Sequence, residues 1–230
     1  MRAIVVRHYK TLLNASDRIL GWGDAPRADG WRADLDFVLE VLRNRSITFD
    51  AIYCSNLERS RQTAMYYARS SGIHIVHDSC ALNEVNYGLL YRQSKKWVAA
   101  NIPEHKKDPD YVYPEGESFS QMQRRSVAFI DSLAERYRHQ TILVVVHAGV
   151  VRGLVSHYLN LDYAANLKQK ISHRYIGDFR FENGVFSRYC EFGKPSGFVA
   201  AGLADMALIS SNRTGATRAG SESGLSGFAL

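Results

Sequence analysis

Apolar positions along this 230-residue chain fall into two kinds of pattern. Short, β-branched runs at 3–6, 50–53 and 141–146, the last reading Thr-Ile-Leu-Val-Val-Val, suit strands buried on both faces. Between them the spacing turns helical. Over 31–42, Leu35, Val38, Leu39 and Leu42 share one stripe, and over 119–137 Met122, Phe129, Ile130 and Leu133 do the same. Strands alternating with helices predict right-handed crossovers and an α/β fold of three layers, α/β/α, around a central, mostly parallel sheet. A further strand is expected at 74–77. Beyond Asn160, runs at 174–181 and 185–192 flank Glu182-Asn183-Gly184, which predicts a β-hairpin on an Asn-Gly turn that extends the sheet antiparallel. After Pro195 the chain is rich in Gly, Ala, Ser and Thr, and Arg213 and Arg218 balance Asp205 and Glu222. Residues 1–195 are therefore expected to form the domain, and 196–230 a tail with one short helix at 203–209.

Composition narrows the class. With 46% hydrophobic and 23% charged residues, disorder across the whole chain is excluded. No stretch approaches the roughly 20 apolar residues of a spanning helix, and the first apolar run is cut off by Arg7 before it reaches the length of a signal-peptide core. Cys54, Cys80 and Cys190 lie far apart without CxxC spacing, which argues against a disulfide framework or a structural zinc site. A reducing, cytoplasmic setting without a membrane partner is expected. The balance of 29 Lys+Arg against 23 Asp+Glu, a net +6, favours anionic partners, small phosphates as easily as nucleic acid. The basic pairs Lys95-Lys96, Lys106-Lys107 and Arg124-Arg125 are scattered and no nucleic-acid motif accompanies them, so nucleic acid ranks last.

Candidate chemistry clusters after the strands. Arg7-His8 follows the first strand and His147-Ala148-Gly149 the Val-rich one, which puts both histidines at the strand ends where open α/β sheets bind ligands. A single histidine there reads as structural; two at equivalent ends read as a site. The second strand leads through Ser55-Asn56-Leu57-Glu58-Arg59 into a helix whose first turn holds Arg59 beside free backbone N–H groups, a natural anion site. Arg59 and Arg61 would equally serve to solvate a helix face. Glu84, a short connection beyond the strand at 74–77, is open between a salt-bridge partner and a proton donor to a leaving group.

These residues resemble the histidine phosphatase, or phosphoglycerate mutase-like, superfamily. Arg7-His8-Tyr9-Lys10-Thr11 with Asn14 is similar to its opening Arg-His-Gly-Glu-Thr and following Asn, and Gly21-Trp22-Gly23-Asp24-Ala25-Pro26 with Gly30 to its next segment, which has Leu-Thr where this chain has Arg27-Ala28. Ser55 to Ala64 resembles Ser-x-Leu-x-Arg-x-x-Gln-Thr-Ala, Pro114-Glu115-Gly116-Glu117-Ser118 the Pro-x-Gly-Glu-Ser that opens a long helix, and His147-Ala148-Gly149 a His-Gly-Gly or His-Ala-Gly element. The resemblance spans 1–192 in order. It implies a phosphoglycerate mutase-like fold with His8 as nucleophile, Arg7, Arg59 and His147 binding phosphate, and Glu84 as general acid and base. Asn14, Ala148, Tyr9 and Lys10 join the substrate-binding set. No metal and no cofactor are implied, because two guanidiniums and a second imidazole meet the charge of a transferring phosphoryl group.

The departures bear on specificity. Tyr9 and Lys10 stand for Gly and Glu, so a ring and a cation are expected near the substrate mouth, unless Tyr9 simply packs into the fold. Lys10, Arg18 and Arg27 are candidates for a second anionic group of the substrate, with solvated surface cations as the alternative. The 30 residues of 85–114, with Tyr87, Trp97, Tyr111 and Tyr113, form a compact cap, shorter than the insertion usual in mutases, and their aromatics serve substrate choice or local packing. That shortness points to a phosphatase of small phosphomonoesters working through phosphohistidine. A phosphoglycerate-type mutase and a non-catalytic phospho-ligand or phosphoprotein binder are the alternatives. The expected partner is a small phosphorylated metabolite, with a homodimer as the candidate assembly.

Overall fold

The computed structural model describes residues 1–193, so the Gly- and Ala-rich tail expected at 196–230, with its helix at 203–209, lies outside the described residues. In chain order the elements are β1 (Arg2–Arg7), α1 (Leu12–Ala15), α2 (Trp31–Asn44), β2 (Ala51–Ser55), α3 (Glu58–Ser71) and β3 (Val76–Ser79). There follow α4 (Lys95–Asn101), α5 (Phe119–Arg136), β4 (Thr141–Val146), α6 (Ala148–Leu159), α7 (Tyr163–Leu167), β5 (Ile176–Glu182) and β6 (Val185–Glu191). The strands make one sheet in the order β3-β2-β4-β1-β5-β6, parallel from β3 to β1 and closed at one side by the antiparallel hairpin β5-β6. The expected mixed three-layer architecture is present.

Burial on both faces explains why the central strands lack polar alternation. In β1, Ala3 and Val5 pack on one face and Ile4 and Val6 on the other; β4 divides Ile142, Val144 and Val146 from Leu143 and Val145 in the same way. Helices α5 and α6 cover the first face with Met122, Ile130, Leu133, Val150 and Leu154, and α2 and α3 cover the second with Leu35, Val38, Leu42, Ala64 and Tyr67. Each such side chain contributes about 1.5–3 kcal/mol of burial. Helix α5 starts with Ser118 as N-cap in a capping box with Gln121, and its buried stripe includes Met122, Ile130 and Leu133 as the spacing predicts.

Element boundaries shift by one or two residues, β2 for instance running to Ser55. The strand expected at 74–77 lies at Val76–Ser79, an edge strand paired only with β2 and half exposed, so no apolar run marks its ends. β5 starts at Ile176 instead of 174, because Arg174 turns away to pair with Asp34 at 2.7 Å. The hairpin turn falls on Asn183 and Gly184 at φ +51° and +83°, the paired positive values that a two-residue I′ turn needs. No helix among the described residues is long and apolar enough to cross a membrane.

The register places the chemistry. Arg7 lies opposite Val146 and Cys54 opposite Val145, so β1, β2 and β4 end on one edge. The N–H of His8 donates to Val146 O at 3.0 Å, one step beyond the strands, and His8 thereby sits beside His147, the N-cap of α6.

Candidate active site

His8 is 2% exposed, and its Nδ1–H donates to the Tyr9 carbonyl at 2.6 Å. That bond fixes the ring's tautomer and leaves Nε2 as the unprotonated, acceptor nitrogen. Arg59 Nε–H reaches His8 Nε2 at 3.3 Å, while its two terminal nitrogens donate to Gly23 O at 2.8 Å and Gly21 O at 2.6 Å. Arg59 is buried at the start of α3, unlike the exposed Arg61, so it is no solvating side chain. The His147 ring lies 4.9 Å from that of His8; its Nε2 meets Ser55 Oγ at 2.6 Å, and its buried Nδ1 makes no hydrogen bond within the described residues. Arg7 donates through Nη1 to the Ile171 carbonyl, and its buried Nε has no hydrogen-bond partner among the described residues.

Burial sets the electrostatics. It pushes the pKa of His8 and His147 well below the ordinary imidazole range, and Arg59 beside each adds to the effect, so both rings stay neutral. Burial likewise lowers Arg7 and Arg59 to about 10, opposed by the charge of Glu84, and both guanidiniums remain cationic at neutral pH. Two guanidinium cations beside a neutral imidazole, whose Nε2 lone pair is engaged only by the Arg59 Nε–H that a bound anion can draw away, make a site for an anion that can be attacked.

Glu84 faces this group from the loop after β3. Its carboxylate accepts the N–H of Val85 at 3.0 Å and of Gly149 at 3.2 Å. Position 149 admits no side chain at this carboxylate position, because a Cβ there would lie 2.1 Å from Glu84 Oε1. The loop itself is nailed down by Arg125, which donates to the carbonyls of Ala81, Asn83 and Glu84 at 2.8–2.9 Å and pairs with Glu117 at 2.6 Å. Trp22 Nε1–H also donates to Glu84 O at 2.6 Å. Gly21-Trp22-Gly23 thus ties Arg59 and Glu84 to one segment.

Arg7, His8, Lys10, Asn14, Arg59, Glu84 and Ala148 line one cavity of about 1020 Å³. Tyr9 does not. Its 3% exposed ring packs against Trp31 under Arg27, its N–H donates to Thr63 Oγ1 at 3.0 Å and its hydroxyl to Gln62 Oε1 at 3.0 Å. The expectation that Tyr9 stands at the substrate mouth is corrected: the ring finds a core slot formed by α2 and α3. Arg27 is likewise spent on Tyr9, Trp31 and Gln62 away from the cavity, whereas Arg18 lines it. In the cap, Tyr87 lines the cavity, while Tyr111 and Tyr113 pack as a cluster with it and Trp97 is 46% exposed.

The model of the histidine phosphatase superfamily (branch 1) matches residues 3–187. The chain belongs to the histidine phosphatase superfamily. Among relatives of this superfamily, the probable phosphoglycerate mutase GpmB of Yersinia pestis is 30% identical over 176 residues, which cover 74% of this chain and 80% of that protein. Bacillus stearothermophilus YhfR superposes with a TM-score of 0.73 at 21% identity over 85% of this chain and 98% of its own. A mycobacterial glucosyl-3-phosphoglycerate phosphatase gives 0.67 at 22% identity over 78% and 92%. At those identities the two structures establish the superfamily's fold for this chain.

Sequence reasoning missed several groups the site relies on. Arg125 was read only as half of a basic pair, and Gly149 only as a motif letter. His173, whose Nδ1–H donates to His8 O at 2.8 Å and whose ring stands 5.6 Å from His8, lies just ahead of the run 174–181 expected to open the hairpin and carries no motif of its own. Burial and the nearby Arg7 lower its pKa to about 3. Among the described residues no group of three or more His, Cys, Asp or Glu could hold a metal ion.

Proposed function

We propose that the chain is a metal-independent phosphatase of small phosphomonoesters, acting in the cytoplasm through a phosphohistidine on His8. The observation that carries this reading is the His8 Nδ1–H bond to Tyr9 O, which directs the Nε2 lone pair to the arginine-lined side of the ring. A phosphoryl group held by Arg7, Arg59 and His147 Nδ1–H would be attacked in line by Nε2. The P–O bond to the leaving group breaks as Glu84 gives its proton to the departing oxygen. Water then attacks the phosphohistidine, Glu84 takes up its proton, and inorganic phosphate leaves. The arginines supply the charge stabilisation.

The Yersinia relative's name favours a mutase as the second reading, because retention of the phosphoryl group for transfer uses the same residues. The compact cap at 85–114 supports hydrolysis over transfer, since transfer demands a more enclosed site. The placement of Tyr9 in the core weighs against a binder disabled by that substitution. Phosphate release from a panel of phosphomonoesters in excess EDTA, with His8→Ala alongside, is the test: the variant should lose at least ~10³-fold in kcat/KM and form no phosphoenzyme. Equal rates for the two proteins would refute the assignment.

A further inference from the structure

The cavity is larger and more cationic than a phosphoryl group requires. At about 1020 Å³ it lies at the upper end of the range for whole small-molecule ligands. Its acidic wall residues are engaged: Asp17 with Lys95 at 2.8 Å, Asp34 with Arg174 at 2.7 Å, and Glu84 with two backbone N–H groups. Arg152, Lys168 and Lys170 also line it and, like Lys10, Arg18 and Lys106 of the same wall, make no ion pair among the described residues.

Arg152 is the centre of this group. Helix α6 presents Ala148 and Gly149 at the catalytic end and Arg152 about one turn, ~5 Å, further along the same face. Its Nη2 donates at 2.9 Å to the carbonyl of Gln169, the residue between Lys168 and Lys170, and its buried Nε has no hydrogen-bond partner among the described residues. A half-buried guanidinium with an unsatisfied N–H is costly unless an anion completes it. Tyr87, Val98 and Leu167 add apolar wall for a short carbon skeleton.

We propose that Arg152, Lys168 and Lys170 form a second anion subsite, so that the substrate is a phosphomonoester bearing a second anionic group, carboxylate or phosphate, a few bonds from the transferred phosphoryl group. This rests on the phosphoryl site described above. It accounts for a cationic cavity end that a singly anionic ester would leave without a counter-charge.

The test uses non-hydrolysable probes on the full chain, so that binding is read apart from turnover: propylphosphonate, 3-phosphonopropionate and propane-1,3-bisphosphonate, by calorimetry. Wild type should bind at least one of the two-anion probes tenfold or more tightly than propylphosphonate, and the preferred one names the second group. That advantage should fall below threefold in Arg152→Gln and in Lys168→Gln/Lys170→Gln, the latter removing no hydrogen bond of the fold. Equal affinities for all three probes in wild type, or an advantage untouched by both variants, would overturn the subsite. Turnover of p-nitrophenyl phosphate by wild type, measured in parallel, judges the phosphatase reading separately. Turnover without the two-anion preference removes only the subsite, and the preference without turnover removes only the hydrolysis.

Discussion

Gly149→Ala isolates the role of Glu84 without touching Glu84. The new methyl group would lie 2.1 Å from Glu84 Oε1, against roughly 3.2 Å for carbon–oxygen contact, so the carboxylate has to retreat by about 1 Å or rotate away. The atom that must move is the end of a flexible side chain, so the folding cost is small, below ~1 kcal/mol. Catalysis should suffer more, because a misplacement of ~1 Å costs on the order of 10²-fold, about 2.7 kcal/mol in the barrier. The loss should depend on the leaving group. An alkyl phosphate needs a proton on its departing oxygen and should show the full ~10²-fold fall in kcat/KM, whereas p-nitrophenyl phosphate, whose leaving anion is stable, should fall by no more than ~3-fold. Steady-state kinetics on the two substrates, with a thermal melt of each protein, reads all three quantities. An equal loss on both would mean that position 149 acts through phosphate binding, and no loss on either would remove Glu84 as proton donor.

Arg59→Lys keeps the charge but not the fork that reaches Gly21 O, Gly23 O and His8 together, and kcat should drop by about 10²–10³-fold; a value near wild type would take Arg59 out of the phosphoryl site. Arg125→Met leaves the Glu84 loop unheld and Glu117 without its ion pair at 16% exposure, and stability should fall by about 3 kcal/mol, a drop of roughly 6–12 °C in Tm, whereas a shift under about 2 °C would contradict the anchoring role. Stability should also decline as pH falls. His8, His147 and His173 are held neutral in the fold by burial, helped by Arg59 or Arg7, but titrate near 6.5 once unfolded, so the unfolded chain binds more protons below that pH. Their contribution is full above about 6.5 and is lost on acidification, by roughly 4 kcal/mol for the three together one pH unit lower. Denaturant titrations at pH 7.5 and 5.5 measure it, and equal stability at the two would refute the neutral assignment.

The legible part of this protein was what local pattern encodes. Continuous β-branched runs and the stripes of α2 and α5 named the layers, and strand-end histidines pointed to the edge carrying the site, because burial on both faces and parallel pairing follow from the chain itself. What escaped notice was long-range. Arg125 looks like a surface cation in sequence, since nothing local says that the carbonyls of 80–84 will arrive over it. Tyr9 looked like an obstruction because the slot between α2 and α3 exists only after packing. His173 stands about 165 residues from His8 and meets it only through the β1–β5 pairing. The edge strand β3 is expected two residues early for the opposite reason, having too little burial to imprint its ends on the sequence.

The guanidiniums around this site are held by main-chain oxygens: Arg59 by Gly21 and Gly23, Arg125 by the 80–84 loop, Arg7 by Ile171 and Arg152 by Gln169. A carbonyl is the same acceptor whatever side chain it carries. Lys168, Gln169 and Lys170 can therefore be exchanged without loosening Arg152, provided the backbone path is kept, whereas the buried Ile171 is also held by the core. The segment that borders the substrate is thus mutationally decoupled from the machinery that breaks the bond, and substrate preference can drift across that border with little loss of catalytic competence.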